Sequence, residues 1–193
     1  PNTFRRLFAE GAFSVAFVPM FTRRLAGEDG ERTAERFAAE VLSVFIWVLL
    51  AFTALALLVM PWIVYALASD FAEVDGKFEL TVFLSRLAFP YLALISLATL
   101  LTGILNAKSR FAPGAFAPVL FNLTLIAGII VGWWWRGTSG DDRLVTYALA
   151  SAVAISGLVQ FIYLWWAVRR TGFPLRFQRP RLTADVRELG RVI

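Results

Sequence analysis

VLSVFIWVLLAFTALALLVMPWIVYALAS, residues 41–69, runs for 29 positions without a single Asp, Glu, Lys or Arg. A helix of ~20 apolar residues satisfies its own backbone across ~30 Å of hydrocarbon, so this stretch is long enough to span a bilayer. Three more charge-free runs follow, at 87–107, 111–135 and 144–168, with 21, 25 and 25 residues. Composition points the same way. Of 193 residues, 59% are hydrophobic and 17% charged, where a soluble domain carries ~45–50% and ~25%. A soluble domain of this size lacks the interior to bury that much apolar surface. The fold class is therefore all-α, a polytopic transmembrane helical bundle. Helices are expected at about 2–25, 37–68, 81–107, 115–135 and 144–168. A further helix is expected from Thr183, whose hydroxyl is suited to cap the backbone of Asp185 and Val186. With Pro1 at one end and Ile193 soon after a helix start at the other, the sequence reads as an excerpt of a longer transporter-like chain.

Composition also removes chemistry. The chain has no His and no Cys. Ser-His-Asp and Cys-His catalysis, zinc sites of the usual ligands, His-ligated haem, iron–sulfur clusters and disulfides are all excluded within it. No Walker loop, Gly-rich nucleotide fingerprint or intramembrane carboxylate pair occurs, so the sequence gives ATP-driven transport no support. No cofactor and no metal is expected, and the protein is not expected to be an enzyme.

The net charge of +5 is distributed by loop, which argues for membrane orientation rather than nucleic-acid binding. Segments 22–40, 108–110 and 169–181 carry four, two and five Lys or Arg, while 70–86 and 136–143 carry two each. The positive-inside rule places the first three in the cytoplasm. Trp133, Trp134 and Trp135 then fall at the outer boundary, and Trp165 and Trp166 at the inner one, where indole rings settle.

The first helix is the most informative. Projected at 100° per residue, Phe4, Leu7, Phe8, Val15 and Val18 share one arc, and Asn2, Arg6, Glu10 and Ser14 another. Arg6 and Glu10 stand four apart and can pair. Arg5 has no acidic neighbour at that spacing, and its own stripe is Ala9, Ala12 and Ala16. Two readings stay open. Arg5 either snorkels to an interface while the alanines allow close packing, or it faces a cavity and binds an anion, since an Arg at membrane depth costs at least ~2.5–3.5 kcal/mol.

Elsewhere, Pro61 is placed to kink the second helix. Gly128-x-x-x-Gly132 suits close helix contact inside the chain. Asn106, Asn122 and Gln160 read as interhelix hydrogen-bonding groups or as pathway lining. The Arg-rich segment 169–181 reads as a solvated loop or a surface touching anionic headgroups.

PNTFRRLFAEGAFSVAFVP at 1–19 and LAFPYLALISLATLLTGILNAKSRFAPGAFAPVLFN at 87–122 resemble the MurJ (MviN) family of lipid II flippases. The resemblance covers nearly the whole chain. It implies a MATE-like architecture of two helical lobes around a central cavity, with residues 1–193 forming part of the amino-terminal lobe. The family's first helix, its second lobe and its terminal helix pair would lie in the missing remainder of the same chain. Arg5 matches the first arginine of the family's PN-x-x-RR, which implies contact with the substrate diphosphate. Glu10 and Gly11 match its EG pair at the gate between lobes, and Asn2, Arg6 and Ser14 share that cavity or gate. Val15 stands where the family usually has Gln.

The implied partner is a lipid-linked peptidoglycan precursor, moved across the bacterial cytoplasmic (inner) membrane by alternating access for cell-wall synthesis. Membrane lipids are expected contacts and nucleic acid is not. Two alternatives are an exporter of the same superfamily carrying a drug or another lipid-linked glycan, and a non-transporting scaffold for cell-wall machinery.

Overall fold

The computed structural model describes residues 12–27, 29–70, 76–141, 143–173 and 183. Six helices are formed among them: α1 Ala12–Leu25, α2 Gly30–Leu67, α3 Lys77–Ala88, α4 Pro90–Ala107, α5 Ala112–Ser139 and α6 Arg143–Arg170. Four segments are long and apolar enough to cross a membrane: α2, α3 with α4, α5, and α6. Exposed Leu58, Trp62, Leu67, Ile130 and Ile162 are then residues for lipid to cover, since apolar side chains on a spanning helix gain nothing by hiding from hydrocarbon.

Two helices depart from the bounds that hydropathy suggests. α2 begins at Gly30, not near Phe37. Its first turns, GERTAERF, are polar but rich in good helix formers, and hydropathy does not register those. The segment read as one helix over 81–107 is two, α3 and α4, meeting at Phe89. Pro90 supplies the cause, because it has no N–H to donate into the preceding turn and restricts the residue before it.

The chain divides into two compact units. The first comprises residues 1–48, 96–117 and 161–193. It holds α1, the start of α2, the end of α4, the start of α5 and the end of α6. It therefore contains all three of the segments richest in Lys and Arg. Its interior is aromatic and aliphatic: Phe17, Phe21, Phe37, Leu42, Leu101, Ile104, Leu164 and Phe173 are fully buried. The α1–α2 turn is tight. A Cβ at Gly30 would collide with the Leu25 carbonyl oxygen, so no larger residue fits there. Along the ends of α5 and α6 in this unit, Phe116 meets Tyr163 at 5.7 Å, Tyr163 meets Trp166 at 6.5 Å, and the Arg170 guanidinium caps the Trp166 ring at 3.9 Å.

The second unit comprises residues 49–95 and 118–160. In it, Met60 and Val64 of α2 pack on Val82 of α3, with Phe78 and Phe89 against them. α5 and α6 approach closely through small residues. A Cβ on Gly128 would overlap that of Ala152, and one on Gly132 would press Ala148 and Val145 at 2.9 Å. An apolar groove of about 360 Å³ runs beside this contact, lined by Ala127, Val131, Tyr147, Ser151 and Ile155 among others. Pro61 lies inside α2 and leaves the Leu57 carbonyl, four residues earlier, without a backbone donor. Arg86 of α3 fills that vacancy, its Nε donating to the Leu57 oxygen at 2.9 Å.

Candidate functional site

The candidate residues precede α1 in sequence, apart from Ser14 within it. Asn2, Arg5, Arg6, Glu10 and Gly11 lie outside the described residues, as do the side chain of Ser14 and the residues that Thr183 was expected to cap. α1 itself, here called the stem, is described from Ala12 onward. Ala16, Phe17 and Phe21 are buried, and Phe17 and Phe21 stand four apart, the spacing that puts one stripe against a core.

The stem is held from three sides. Phe17 stacks on Phe37 of α2 at 5.6 Å, with the rings only 11° from parallel, and on Phe21 at 5.5 Å. On the second side α4 presents Gly103, where an added Cβ would come within 3.2 Å of Val18. On the third side Phe173, just past α6, meets Phe21 edge-on at 5.6 Å. Aromatic pairs in these geometries add ~0.5–1.5 kcal/mol each beyond their burial. Arg24 closes the stem. It lies over the Phe37 ring at 4.1 Å and donates to the Met20 carbonyl at 3.2 Å.

Charged groups fasten the same end. Lys108 sits over the Phe173 ring at 4.6 Å and pairs with Glu31 at 3.4 Å. Glu40, only 8% exposed, accepts from Arg36 at 3.1 Å through one carboxylate oxygen and from the Thr183 hydroxyl at 2.9 Å through the other. A buried carboxylate must be paired in this way, because leaving it bare costs more than a hydrogen bond returns. Sequence reading counted Glu40 both in the polar segment 22–40 and at the start of a helix over about 37–68, and gave Lys108 only a topological role. The signal for Glu40 was its i,i+4 spacing to Arg36.

The other polar candidates are dispersed. Asn106 and Asn122 are exposed. Gln160 is 2% exposed, and its amide donates to the Ser156 carbonyl of its own helix at 3.1 Å rather than to a neighbouring helix. Among the described residues no three His, Cys, Asp or Glu side chains converge as a metal site would require.

A family model described as lipid II flippase MurJ matches residues 1–193, the entire sequence. The chain belongs to the MurJ lipid II flippase family. Similar proteins include a probable lipid II flippase MurJ of Rhizobium meliloti, 46% identical over 98% of this chain and 35% of its own length. A probable lipid II flippase MurJ of Rickettsia prowazekii is 32% identical over 92% of this chain and 34% of its own length. A lipid II flippase MurJ of Burkholderia cenocepacia is 36% identical over 84% and 30%. The chain thus spans about a third of the length of these MurJ relatives. Bacterial relatives and four apolar spans make this MurJ-family chain a multi-pass protein of the bacterial cytoplasmic membrane.

Proposed function

We propose that the chain is part of the amino-terminal lobe of a transporter that flips a lipid-linked peptidoglycan precursor, lipid II, across the cytoplasmic membrane. The observation that carries this reading is the match of all 193 residues to the lipid II flippase family, with PNTFRR at 1–6 included. The substrate class fits the sequence chemistry. A polyprenyl diphosphate presents two phosphates, and a guanidinium fork meets phosphate oxygens bidentately where an ammonium acts only as a point charge.

In this reading the headgroup enters from the cytoplasmic side and its diphosphate pairs with Arg5. Glu10 and Gly11 lie at the gate, with Asn2, Arg6 and Ser14 beside it. The packing around α1 is compatible with this reading, since it anchors the chain that follows these residues. Alternating access then exposes the headgroup on the other side, and for this the remainder of the chain supplies a second lobe. No covalent bond is made or broken, so the protein is a transporter rather than a catalyst of a chemical reaction.

The test uses the full-length protein in cells, with membrane levels checked. Arg5→Ala abolishes transport, Arg5→Lys retains part of it because charge survives without the fork, and Arg6→Ala is tolerated better than Arg5→Ala. Full activity of Arg5→Ala at normal expression overturns the reading.

A further inference from the structure

Arg86 stands apart from the other described cations. It belongs to the segment Lys77–Ala107, which is long and apolar enough to span. At 1.5 Å per residue it lies ~14 Å along the helix axis from Lys77. Its neighbours give its level on α6. Phe83, one turn before it, packs edge-on against Tyr147 at 5.6 Å. Tyr91 and Leu94, beyond it, close on Gly157. Arg86 therefore sits between the levels of Tyr147 and Gly157, inside the charge-free run 144–168 of α6 and beside the charge-free run 41–69 of α2.

Its contact with the Leu57 carbonyl explains a donor at this place but not a charge. A neutral amide would answer an orphaned carbonyl, whereas a cation at membrane depth is expensive to hold and is found where it has a partner or a pathway to serve. Guanidinium has five N–H donors in a fork, and this bond occupies Nε alone. The side chain is exposed, and among the described residues no salt bridge joins it to an acid. The acidic groups of its own helix and of the adjoining helix end are Glu79, two turns away, and Asp70. The Leu57 bond also holds the guanidinium in place, so an incoming anion meets a group whose orientation is already fixed.

We propose that Arg86 is an anion-contact residue within the membrane-spanning part of the second unit, taking the phosphate of a lipid. The shared chemistry is a phosphate ester on a lipid anchor. Two sources carry it: the diphosphate of the transported precursor, which rests on the function proposed above, and the phosphate of a bilayer phospholipid, which does not.

The experiment uses the full-length protein in nanodiscs and in cells, with Arg86→Gln, Arg86→Lys, Pro61→Ala and the Pro61→Ala/Arg86→Gln pair. Pro61→Ala restores the backbone N–H to Leu57, so a role confined to capping that carbonyl vanishes in the double variant. We expect Arg86→Gln to weaken binding of lipid II, or retention of phosphatidylglycerol against phosphatidylcholine in native mass spectra, by about tenfold or more. Arg86→Lys recovers part of this, and Pro61→Ala/Arg86→Gln does not. Loss of lipid II binding assigns the site to the substrate, and loss of phosphatidylglycerol retention alone assigns it to the bilayer. Unchanged binding of both lipids in Arg86→Gln, or full rescue by Pro61→Ala, overturns the proposal and leaves Arg86 as a carbonyl cap. Arg5→Ala, run alongside, separates this outcome from a failure of the transport reading, since phosphatidylglycerol retention does not depend on Arg5.

Discussion

The Thr183 hydroxyl donates to the Glu40 carboxylate at 2.9 Å across 143 positions of sequence. The bond joins the chain beyond α6 to the start of α2, and Arg36 holds the other carboxylate oxygen. Glu40→Ala removes both bonds at a buried site and is expected to destabilise the full-length protein by ~1–3 kcal/mol. Glu40→Gln keeps an acceptor for Thr183 and loses less. Thermal unfolding in detergent, with Thr183→Val as the partner variant, reads the difference. Equal stability of Glu40→Ala and wild type would show the bond to be idle.

Phe173 is fully buried between Phe21 and Lys108. Phe173→Ala opens a cavity against Phe21 of α1 and Lys108 just past α4. A loss of about 3 kcal/mol is expected, with Phe173→Leu recovering much of it. The same unfolding assay checks the order of the two variants.

Gly128 meets Ala152 where α5 and α6 come closest. Gly128→Leu forces the helices apart and costs ~1–3 kcal/mol by overpacking. Gly137, with nothing near its Cβ position, accepts the same change at little cost. A comparison of folded yield and melting temperature of the two variants tests this. Equal behaviour would mean that the α5–α6 contact adapts freely.

Topology follows from the loop charges. Arg32→Cys and Thr138→Cys, both at exposed positions, are expected to label from opposite faces of the membrane, with residue 32 on the cytoplasmic side. Gly30 is unsuitable for such a label because its Cβ would strike Leu25. Same-side labelling contradicts the orientation.

Glu10 is expected at the gate between lobes. There a carboxylate that bonds in only one state biases the conformational equilibrium by ~1–3 kcal/mol. Glu10→Gln should shift the inward/outward distribution measured by cysteine accessibility. An unchanged distribution with unchanged transport favours a local pair with Arg6.

The spanning segments were legible because bilayer length imposes a strong signal: 29 residues without charge, as at 41–69, have few other uses. What hydropathy missed were features that depend on a partner distant in sequence. Glu40 closed the polar segment 22–40, and nothing near it in sequence signalled its bond to Thr183. Arg86 looked like a loop cation, since its role depends on Pro61, which is 25 positions away. The break before Pro90 was written in the sequence as Phe89-Pro90, but the apolar run continued through it and masked the punctuation. Gly128 and Gly132 were readable as a contact pair because small residues four apart have one strong use in a membrane. For the candidate site, the arrangement of Arg5, Arg6 and Glu10 came from helical periodicity and the family block. The cluster of Phe17, Phe21, Phe37 and Phe173 around α1 became visible only in three dimensions.

α2 runs unbroken for 38 residues, ~57 Å at 1.5 Å per residue, against ~30 Å of hydrocarbon. Even a steep 40° tilt leaves over ~10 Å of helix outside the core. The polar stretch from Gly30 to Glu40 supplies that excess. The Glu31–Lys108 pair and the Phe17–Phe37 stack are both made by it. The turn into α1 and its aromatic packing therefore belong with the part of α2 that exceeds the hydrocarbon, where water and headgroups rather than acyl chains are the solvent.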